Sequence, residues 1–354
     1  YHINNYTTMS IKRPKLQDIA NIVGVTKMTV SRYFNDPQSV APKTREKISQ
    51  VIDESGFIPN KVPAIMSKSS SRSIGLIIPS FSNQVFSDVI DAVERTAEEK
   101  GYSVLLMHTG YNIDVEEARV ASLISYQVDG IILSEPEHTP LTIKRLIKSE
   151  MPVAEIMSVP DKPINVAIGI RHEDVTYAVT KSLIECGRKH IAYFGVRLDR
   201  RTMDRQKGYQ RALDEFNMAP HIYSSAVHST FSVGNELLSA ALNNKDKLDA
   251  IITTNDDVAV GVLIACQHYG IKVPDDLAVI GYNGLSYCDA SIPRLCSICT
   301  PRYDIGKLAV EEIISQIKSN HLNPSTKYLH CSLTHGGSLT KAEQQAVRAA
   351  LVAM

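Results

Sequence analysis

The 354-residue sequence contains no tryptophan, and aromatic residues make up only 6% of it. It also has no run of about 18 apolar residues, so a membrane-spanning helix is not expected. The opening residues, YHINNYTTMSIKRPK, lack the apolar core that a secretory signal peptide needs. Six cysteines in a chain of this length are typical of free thiols in a reducing compartment. We therefore predict a cytoplasmic protein with no membrane partner.

The sequence also lacks the short motifs by which common enzyme classes bind phosphate or activate a nucleophile. No GxGxxG, P-loop or GxSxG motif occurs at a strand-to-helix turn, and the 11 histidines form no HExxH-like cluster. Cys296 and Cys299 have CxxC spacing, but a zinc site needs a second pair and a redox site needs a helix N-terminus. We interpret this segment as a strand. The protein is predicted to be neither an enzyme nor a carrier of a metal or cofactor.

Net charge is absent overall, because 38 basic residues balance 38 acidic ones. The balance is not uniform along the chain. Residues 11–72 hold 11 Lys and Arg against 5 Asp and Glu, whereas the remainder holds 27 against 33. A basic N-terminal module on an acidic body predicts a polyanionic partner for the first part alone.

Residues 16–34, LQDIANIVGVTKMTVSRYF, have the pattern of two short helices joined by a tight turn. Gly24 stands where the first helix needs a residue that tolerates positive φ, and Thr26 is a suitable N-cap for the second. A third helix is predicted to begin near Pro42 and to end at Gly56. The expected common core consists of Ile19, Ala20, Val25, Val30, Ile48, Val51 and Ile52. We assign residues 11–58 to a three-helix helix-turn-helix domain.

From residue 74 onward, short apolar runs alternate with amphipathic helical patterns. The runs lie at 74–78, 102–107, 128–133, 152–156, 165–170, 190–195, 248–253 and 277–282. This alternation predicts parallel, doubly wound α/β sheets, and its length favours two lobes with a cleft between them over a single sheet. Residues 59–72 are basic and rich in serine, which indicates a linker. Residues 340–354 pattern as a short amphipathic helix, interpreted either as a frayed tail or as a segment that joins subunits.

Together these segments resemble the lactose/galactose repressor family of bacterial transcription factors. The matching segments are DIA at 18–20, GVT at 24–26, TVSR at 29–32, KTREK at 43–47, GFIPN at 56–60, IPS at 78–80, DG at 129–130, TNDD at 254–257, PDD at 274–276 and GY at 281–282. They occur in the right order over about residues 15–339, so the resemblance is more specific than any one motif. Within the family, the chain is most similar to the gluconate-utilisation repressors.

The resemblance implies a periplasmic-binding-protein-like effector domain at residues 73–339. Its first lobe would comprise 73–169 and 300–330, and its second lobe 170–299 and 331–339. The implied partners are a palindromic operator in double-stranded DNA, a small effector, and a second copy of the chain in a homodimer, or further copies in a tetramer. We expect a repressor of sugar-acid catabolism genes that leaves its operator when gluconate or a related acid binds.

The second helix carries the expected base-reading face. Its outward side chains, by i,i+3 and i,i+4 spacing, are Lys27, Met28, Ser31 and Arg32. A recognition helix presents its N-terminal residues to base edges, where Lys and Arg donate to guanine and Met can pack on a thymine methyl group. The expected phosphate contacts are Thr26, Ser31, Asn35 and Thr44.

The family resemblance also places a hinge helix at residues 60–67, which orders on the operator. Asn60 begins this segment, and Met66 occupies the position of an apolar wedge that enters the minor groove, where leucine is usual. Methionine is less preorganised than leucine, so the wedge should cost more to order. Pro63 is compatible with a helix only in its first turn, so the hinge helix must begin near Asn60.

The family's effector site lies in the cleft between the lobes, at the carboxyl ends of strands, where open α/β sheets bind ligands. The residues that the resemblance places there are Phe81, Ser82, Gln84, Phe86, Arg205, Asn255, Asn283 and Thr300. Two further candidates are Glu155, which interrupts an apolar strand, and Arg302, which follows the predicted crossover between the lobes. Asn283 stands where sugar- and purine-sensing members usually have an aspartate, so repulsion of an anionic ligand is removed. Arg205 is the first candidate for gripping a carboxylate bidentately.

Several neighbouring charges have open roles. Arg197, Arg200 and Arg201 crowd the same region, and for Arg197 and Arg200 we favour a solvated helix start. Glu155 either binds effector hydroxyl groups or pairs with an arginine. Glu135 and His138 lie on a loop after a predicted strand and could also reach the ligand.

Three alternatives remain at this point. The effector could be a neutral sugar, a nucleoside or a phosphorylated acid. A periplasmic-type sugar-binding protein would share the two-lobe fold, but the basic N-terminal module and the missing signal peptide count against it. An enzyme on a Rossmann-like fold is disfavoured because no phosphate-binding motif is present.

Overall fold

The computed structural model describes residues 14–59, 70–244 and 247–354. The chain separates into two compact units, Tyr1–Ser71 and Arg72–Met354, which we call the head and the body. The predicted hinge helix at 60–67, with Asn60 and Met66, lies outside the described residues. None of the helices within the described ranges combines the length and the apolar character that a membrane span requires.

The head contains the three predicted helices, α1 (Leu16–Val23), α2 (Lys27–Asn35) and α3 (Pro42–Ser55). Gly24 ends α1 with a φ of 78°, and the Thr26 hydroxyl caps α2 by accepting the Thr29 N–H at 3.2 Å. Both caps are confirmed. The fully buried core residues are Ile19, Ala20, Val30, Val40, Ile48 and Phe57. The predicted core residues Val25, Val51 and Ile52 are partly buried at its edge.

The first lobe of the body is built on a six-stranded sheet in the order β11-β5-β4-β3-β1-β2, with all neighbours parallel. Its strands are β1 (Ser73–Ile78), β2 (Ser103–His108), β3 (Gly130–Leu133), β4 (Val153–Ser158), β5 (Val166–Ile170) and β11 (Ser325–Tyr328). The helices that cover it are α4 (Ser87–Glu99), α5 (Ile113–Ser125), α6 (Pro140–Ser149) and α11 (Arg302–Ser319). Helix α4 packs against α11, and α5 packs against α6.

The second lobe has the sheet order β12-β10-β9-β8-β6-β7, in which only β12 is antiparallel to its neighbour. Its strands are β6 (Ile191–Val196), β7 (His221–Ser225), β8 (Ala250–Thr253), β9 (Ala278–Asn283), β10 (Cys296–Cys299) and β12 (Ser332–Leu333). Its helices are α7 (His172–Glu185), α8 (Arg200–Glu215), α9 (Phe231–Asn243), α10 (Asp256–Tyr269) and α12 (Lys341–Val352). Helices α7 and α8 pack so closely that a Cβ on Gly208 would lie 2.0 Å from the Glu173 carbonyl oxygen.

The chain passes between the lobes three times, after β5, after β10 and after β11. All eight apolar runs are strands, and Cys296–Cys299 is a strand as well, as predicted. Strands β7, β11 and β12 were not predicted, because each is short and at least half of its residues face away from the core. Helix α8 begins at Arg200, because Asp199 caps it there.

Residues 340–354 correct a prediction, since they form an integral helix of the second lobe rather than a separate tail. Thr340 and Glu343 make a capping box at the start of α12. Arg188 donates to Glu343 at 2.6 Å, and Val347 and Leu351 are buried in the main core of the body. The amphipathic face was identified correctly, but α12 packs on α7 of its own chain.

Candidate functional site

Helix α2 presents an exposed basic face on the head. Lys27 and Arg32 are exposed, and Met28 is 66% exposed, which is unusual for a methionine. Neither Lys27 nor Arg32 forms an ion pair with the residues that the structure describes in the head. Lys27 and Met28 lie in the first turn of α2, where the helix dipole is positive, and Arg32 lies in its last turn. Two cations and an apolar side chain on one exposed helix face suit a polyanion with apolar groups between its charges.

The four predicted phosphate contacts have local roles as well. The Thr26 hydroxyl is occupied by the cap of α2, and the Asn35 amide donates to the Ser31 carbonyl at 2.9 Å. Thr44 lies in the first turn of α3, where its N–H bonds to the Ala41 carbonyl at 2.9 Å. Whether these groups touch DNA phosphates stays a prediction.

A cleft lies between the two lobes of the body, where the carboxyl ends of β1, β6, β8 and β9 converge. The enclosed part of this cleft has a volume of about 40 Å³, and the empty space is about 540 Å³ when the open solvent at its mouth is included. The lining residues are Asn83, Val85, Phe86, Met157, Val196, Arg197, Asp199, Arg201, Thr202, Arg205, Thr254, Asn255, Asp257, Asn283 and Leu285. Four of the ten predicted effector-contacting residues are among them: Phe86, Arg205, Asn255 and Asn283.

Arg205 is the most unusual of these residues. It is 7% exposed, its guanidinium carbon lies 3.7 Å from the centre of the Tyr282 ring, and it donates to the Thr254 carbonyl. Its Nε has no hydrogen-bond partner, and no carboxylate of the described residues is within ion-pair distance. A buried charge without a counter-ion is costly, so this guanidinium has the character of a binding group for an anion.

Arg197 is the second cleft arginine without a carboxylate partner among the described residues. It donates to the Tyr111 hydroxyl at 2.7 Å and lies 4.5 Å from the centre of that ring. Tyr111 also accepts from the Asn83 amide at 2.8 Å, so a residue of the second lobe is tied to two residues of the first. The Arg197 Nε is buried and unpaired, as in Arg205.

The other two arginines are neutralised by the protein itself. Arg201 donates to Glu135 at 2.5 Å and to the Ser134 carbonyl at 3.0 Å, and these bonds join the lobes. Burial raises the pKa of Glu135, although Arg201 opposes the rise. Arg200 pairs with Asp204 at 3.0 Å. A second cavity beside the cleft is lined by Arg197 and by these two paired arginines, together with Glu116, Glu135 and Glu137. Arg197 is its one arginine without a carboxylate partner among the described residues, so this cavity offers an anion less uncompensated charge than the first, which has Arg205 as well.

Two carboxylates line the cleft, and both are engaged. Asp199 accepts the Thr202 N–H at 2.9 Å as the cap of α8. Burial alone would raise the pKa of Asp199, but Arg201 and the Thr202 N–H outweigh burial and hold this pKa below its usual value. Asp257 accepts hydroxyl groups of Ser229 at 2.7 Å and of Tyr287 at 2.5 Å. Neither residue was predicted from the sequence.

Two amides complete the polar lining. The Asn255 side-chain oxygen caps α10 and accepts the Ser229 hydroxyl at 2.9 Å. Asn283 is 3% exposed, and its backbone has a φ of 114° at the end of β9. Its side-chain amide makes no hydrogen bond to the described residues, which leaves both N–H donors and the carbonyl oxygen for a ligand.

Comparison with known proteins identifies the family. The model for bacterial regulatory proteins of the lacI family matches residues 15–60, and the model for a periplasmic binding protein-like domain matches residues 180–339. The HTH-type transcriptional regulator GntR of Escherichia coli K12 is 40% identical over 331 residues, which cover 94% of this chain and 100% of that protein. This chain belongs to the LacI family.

Two further similarities agree with this assignment. The HTH-type transcriptional regulator IdnR of E. coli K12 is 37% identical over 328 residues, covering 92% of this chain and 99% of that one. A LacI-family transcriptional regulator from Silicibacter pomeroyi has a crystal structure that superposes with a TM-score of 0.87 at 25% identity, covering 93% and 100% of the two chains. The protein is a DNA-binding transcriptional repressor and not an enzyme, and the predicted fold class is confirmed.

Six of the ten residues predicted for the effector site do not line the cleft of this repressor. Phe81 is 56% exposed and packs against His108, while Ser82 and Gln84 are exposed on the same loop. Thr300 and Arg302 bond to the Asn283 carbonyl, and Arg302 also pairs with Asp88 at 2.6 Å. Thr300 and Arg302 lie where the chain crosses between the lobes, and they hold the backbone of the cleft residue Asn283.

Glu155 is the sixth, and it belongs to a buried polar cluster of the first lobe. His138 lies between Glu116, at 2.5 Å, and Glu155, at 3.4 Å, and Glu155 also accepts the Ile164 N–H at 2.6 Å. Burial lowers the pKa of His138, but the two glutamates more than offset this and raise it to about 9. Glu155 therefore pairs with a histidine, which was neither of the two roles predicted for it.

Proposed function

We propose that this repressor leaves its operator when a sugar acid, with gluconate as the first candidate, binds in the cleft of the body. The observation that carries the proposal is the buried guanidinium of Arg205, which has no carboxylate partner among the described residues. A ligand carboxylate would supply the missing counter-charge and accept charge-assisted hydrogen bonds from it. A neutral sugar would leave the charge uncompensated.

The rest of the lining suits the other end of such a molecule. The free amide of Asn283 and the engaged carboxylates of Asp199 and Asp257 provide donors and acceptors for hydroxyl groups. Arg197 adds a second unpaired donor. The relatives GntR and IdnR are sugar-acid regulators, which supports the same class of effector for this chain.

The proposed mechanism is thermodynamic linkage between cleft and operator. If the effector favours one arrangement of the lobes and the operator favours the other, each ligand weakens the other's binding by the same factor. A homodimer with two-fold symmetry would match a palindromic operator, with Lys27, Met28 and Arg32 on the bases of each half-site. Because its target is the chromosome, such a bacterial repressor would act in the cytoplasm.

The test is the retarded migration of a palindromic operator fragment with added gluconate, 6-phosphogluconate, sorbitol, galactose or ribose. We expect release by an acid at concentrations where the neutral compounds have no effect. Release by galactose, ribose or sorbitol but by neither acid would contradict the anion proposal. Failure to bind any promoter fragment would contradict the operator proposal.

A further inference from the structure

A continuous chain of contacts leads from Arg205 to the opposite lobe. The guanidinium carbon of Arg205 lies over the Tyr282 ring, 3.7 Å from its centre, and the Tyr282 hydroxyl is 2.8 Å from Nδ1 of His172. Nε2 of the same imidazole is 3.2 Å from the Met157 carbonyl oxygen. Arg205 and Tyr282 belong to α8 and β9 of the second lobe, whereas Met157 belongs to β4 of the first and also lines the cleft.

The direction of each hydrogen bond follows from the chemistry of the groups. A carbonyl oxygen only accepts, so Nε2 of His172 carries the proton and donates to Met157. Burial lowers the pKa of His172 well below its usual value, and the nearby charges of Arg205 and Arg201 lower it further, so the ring is neutral. Nδ1 then has a lone pair, and the Tyr282 hydroxyl donates to it.

This arrangement matters for Arg205 because little else holds its guanidinium. Within the described residues, the guanidinium contacts the Thr254 carbonyl and the Tyr282 side chain, and its Nε is unpaired. The ring face therefore sets the plane in which the guanidinium meets a ligand, through a cation–π contact. The single imidazole of His172 fixes that ring and reaches the first lobe at the first point where the chain crosses between the lobes.

We propose that Tyr282 and His172 are positioning residues that connect ligand binding to the arrangement of the lobes. Tyr282 orients Arg205 for the anionic group of the effector. The hydrogen bond from His172 to Met157 transmits the effect of effector binding at Arg205 to the first lobe. This inference rests on the proposed function, in that Arg205 contacts the effector. It assigns the two ring nitrogens separate tasks, Nδ1 for affinity and Nε2 for transmission.

Two substitutions of His172 test its two ring nitrogens separately, because each keeps one of the two hydrogen bonds and removes the other. In His172→Asn, the shorter amide reaches the position of Nδ1, so it keeps the bond to Tyr282 and loses the bond to Met157. In His172→Gln, the longer amide reaches the position of Nε2, so it keeps Met157 and loses Tyr282. Tyr282→Phe is the matched control for the second variant, because it removes only the hydroxyl group and leaves the aromatic face.

Two quantities are measured for each variant with the full chain: the Kd for gluconate by calorimetry, and the gluconate concentration that releases half of the operator fragment. We expect His172→Asn to keep the wild-type Kd within about twofold but to need about five- to tenfold more gluconate for release, the effect of losing one hydrogen bond. His172→Gln and Tyr282→Phe should weaken Kd by a similar factor and shift release in proportion.

The ratio of the half-release concentration to Kd therefore distinguishes a loss of transmission between the lobes from a loss of effector affinity. A purely structural role would lower thermal stability or operator affinity without ligand, and these are measured alongside. If His172→Asn and His172→Gln change the ratio equally, or if neither changes it, the division of tasks is wrong. If gluconate fails, the same series is run with 6-phosphogluconate.

A ligand-free measurement keeps the relay testable if neither acid binds the wild type, an outcome that would contradict the proposed function alone. Loss of the bond to Met157 should speed amide hydrogen exchange in residues 157–158 and 170–172 of His172→Asn. His172→Gln should retain the wild-type rates there. Equal exchange in the two variants would overturn the relay.

Discussion

The head and the body each present arginine to a negatively charged partner, but in opposite surroundings. On α2 of the head, Arg32 and Lys27 stand exposed with no ion pair among the described residues. In the cleft of the body, Arg205 is 7% exposed and stacked on Tyr282. Exposed charges are screened by salt within about 10 Å, so several are needed to hold DNA, and each contributes modestly.

The buried arginine works differently, because it has lost most of its hydration before a ligand arrives. Its charge is poorly screened, so a single carboxylate in contact with it gains more, and a neutral ligand in the same place leaves the burial cost unrelieved. The head should therefore recognise an extended array of negative charges, whereas the body should recognise a single negative charge.

The largest expected effect tests the body. Arg205→Ala should raise the acid concentration needed for operator release by about 30-fold or more, which corresponds to the loss of about 2–5 kcal/mol for truncating one partner of a buried charge pair. Operator affinity without effector should stay within about twofold. Arg211→Ala on the same helix, which removes an arginine paired with Glu173 and Asp174 near the surface, is the control. Loss of operator binding in Arg205→Ala alone would show that Arg205 is structural.

The next effect concerns a second buried charge in the body. Below pH 6.5 His138 is protonated in both folded and unfolded chains, so its stabilisation is fully present; it declines as pH rises and is lost above about 9. The raised pKa of His138 contributes on the order of 3 kcal/mol to the free energy of unfolding. Calorimetry between pH 6 and 10 should show a steeper alkaline loss for the wild type than for His138→Gln. Residues 14–59 contain no histidine, so the described part of the head has no counterpart. Parallel curves for the two proteins would refute the charge assignment.

A smaller effect is expected for a single exposed cation of the head. Arg32→Ala should weaken operator binding by about 1–3 kcal/mol, relax base preference at one position and leave effector affinity unchanged. Arg95→Ala in the body, which removes an exposed arginine paired with Asp91, should leave operator binding intact. Fluorescence anisotropy with matched and singly mismatched operators measures both. Uniform weakening on all sequences would instead identify Arg32 as a phosphate contact.

The smallest effect distinguishes the two units by stability. Thr26→Ala removes the cap of α2 and should lower the free energy of unfolding of the head by about 1 kcal/mol, with no change in the body. Thr26→Ser keeps the hydroxyl group and should behave as the wild type. Separate thermal transitions report this, and a shift of the body transition would show that the two units unfold together.

The sequence predicted best what depends on near neighbours along the chain. Gly24 and Thr26 have the roles that their residue types indicate, because a positive φ and a side-chain cap are local properties. The eight apolar strands were recognisable because a strand buried on both faces is a continuous hydrophobic run. The edge strands β7, β11 and β12 carry too few apolar residues to give that signal.

What the sequence did not predict depends on which lobes and loops meet. Arg197 bonds to Tyr111, 86 residues away, and no local pattern joins them. Glu155 looked like a cleft residue because it interrupts an apolar strand, but its partner His138 comes from the loop after the neighbouring strand β3. Arg205, which was identified by resemblance, lies in the cleft; that its neighbour Tyr282 is stacked beneath it was visible only in the structure.

The cleft has one further property that follows from its lining. Among the described residues that form it, every cation is an arginine, and none is a lysine or a histidine. A guanidinium stays protonated across the pH range of a living cell, and lysine acetylation has no target there. The positive charge offered to an effector therefore stays constant when the cell becomes acidic and when lysine residues are acetylated. The response of such a sensor to a given metabolite concentration would not change through the charge of these arginines.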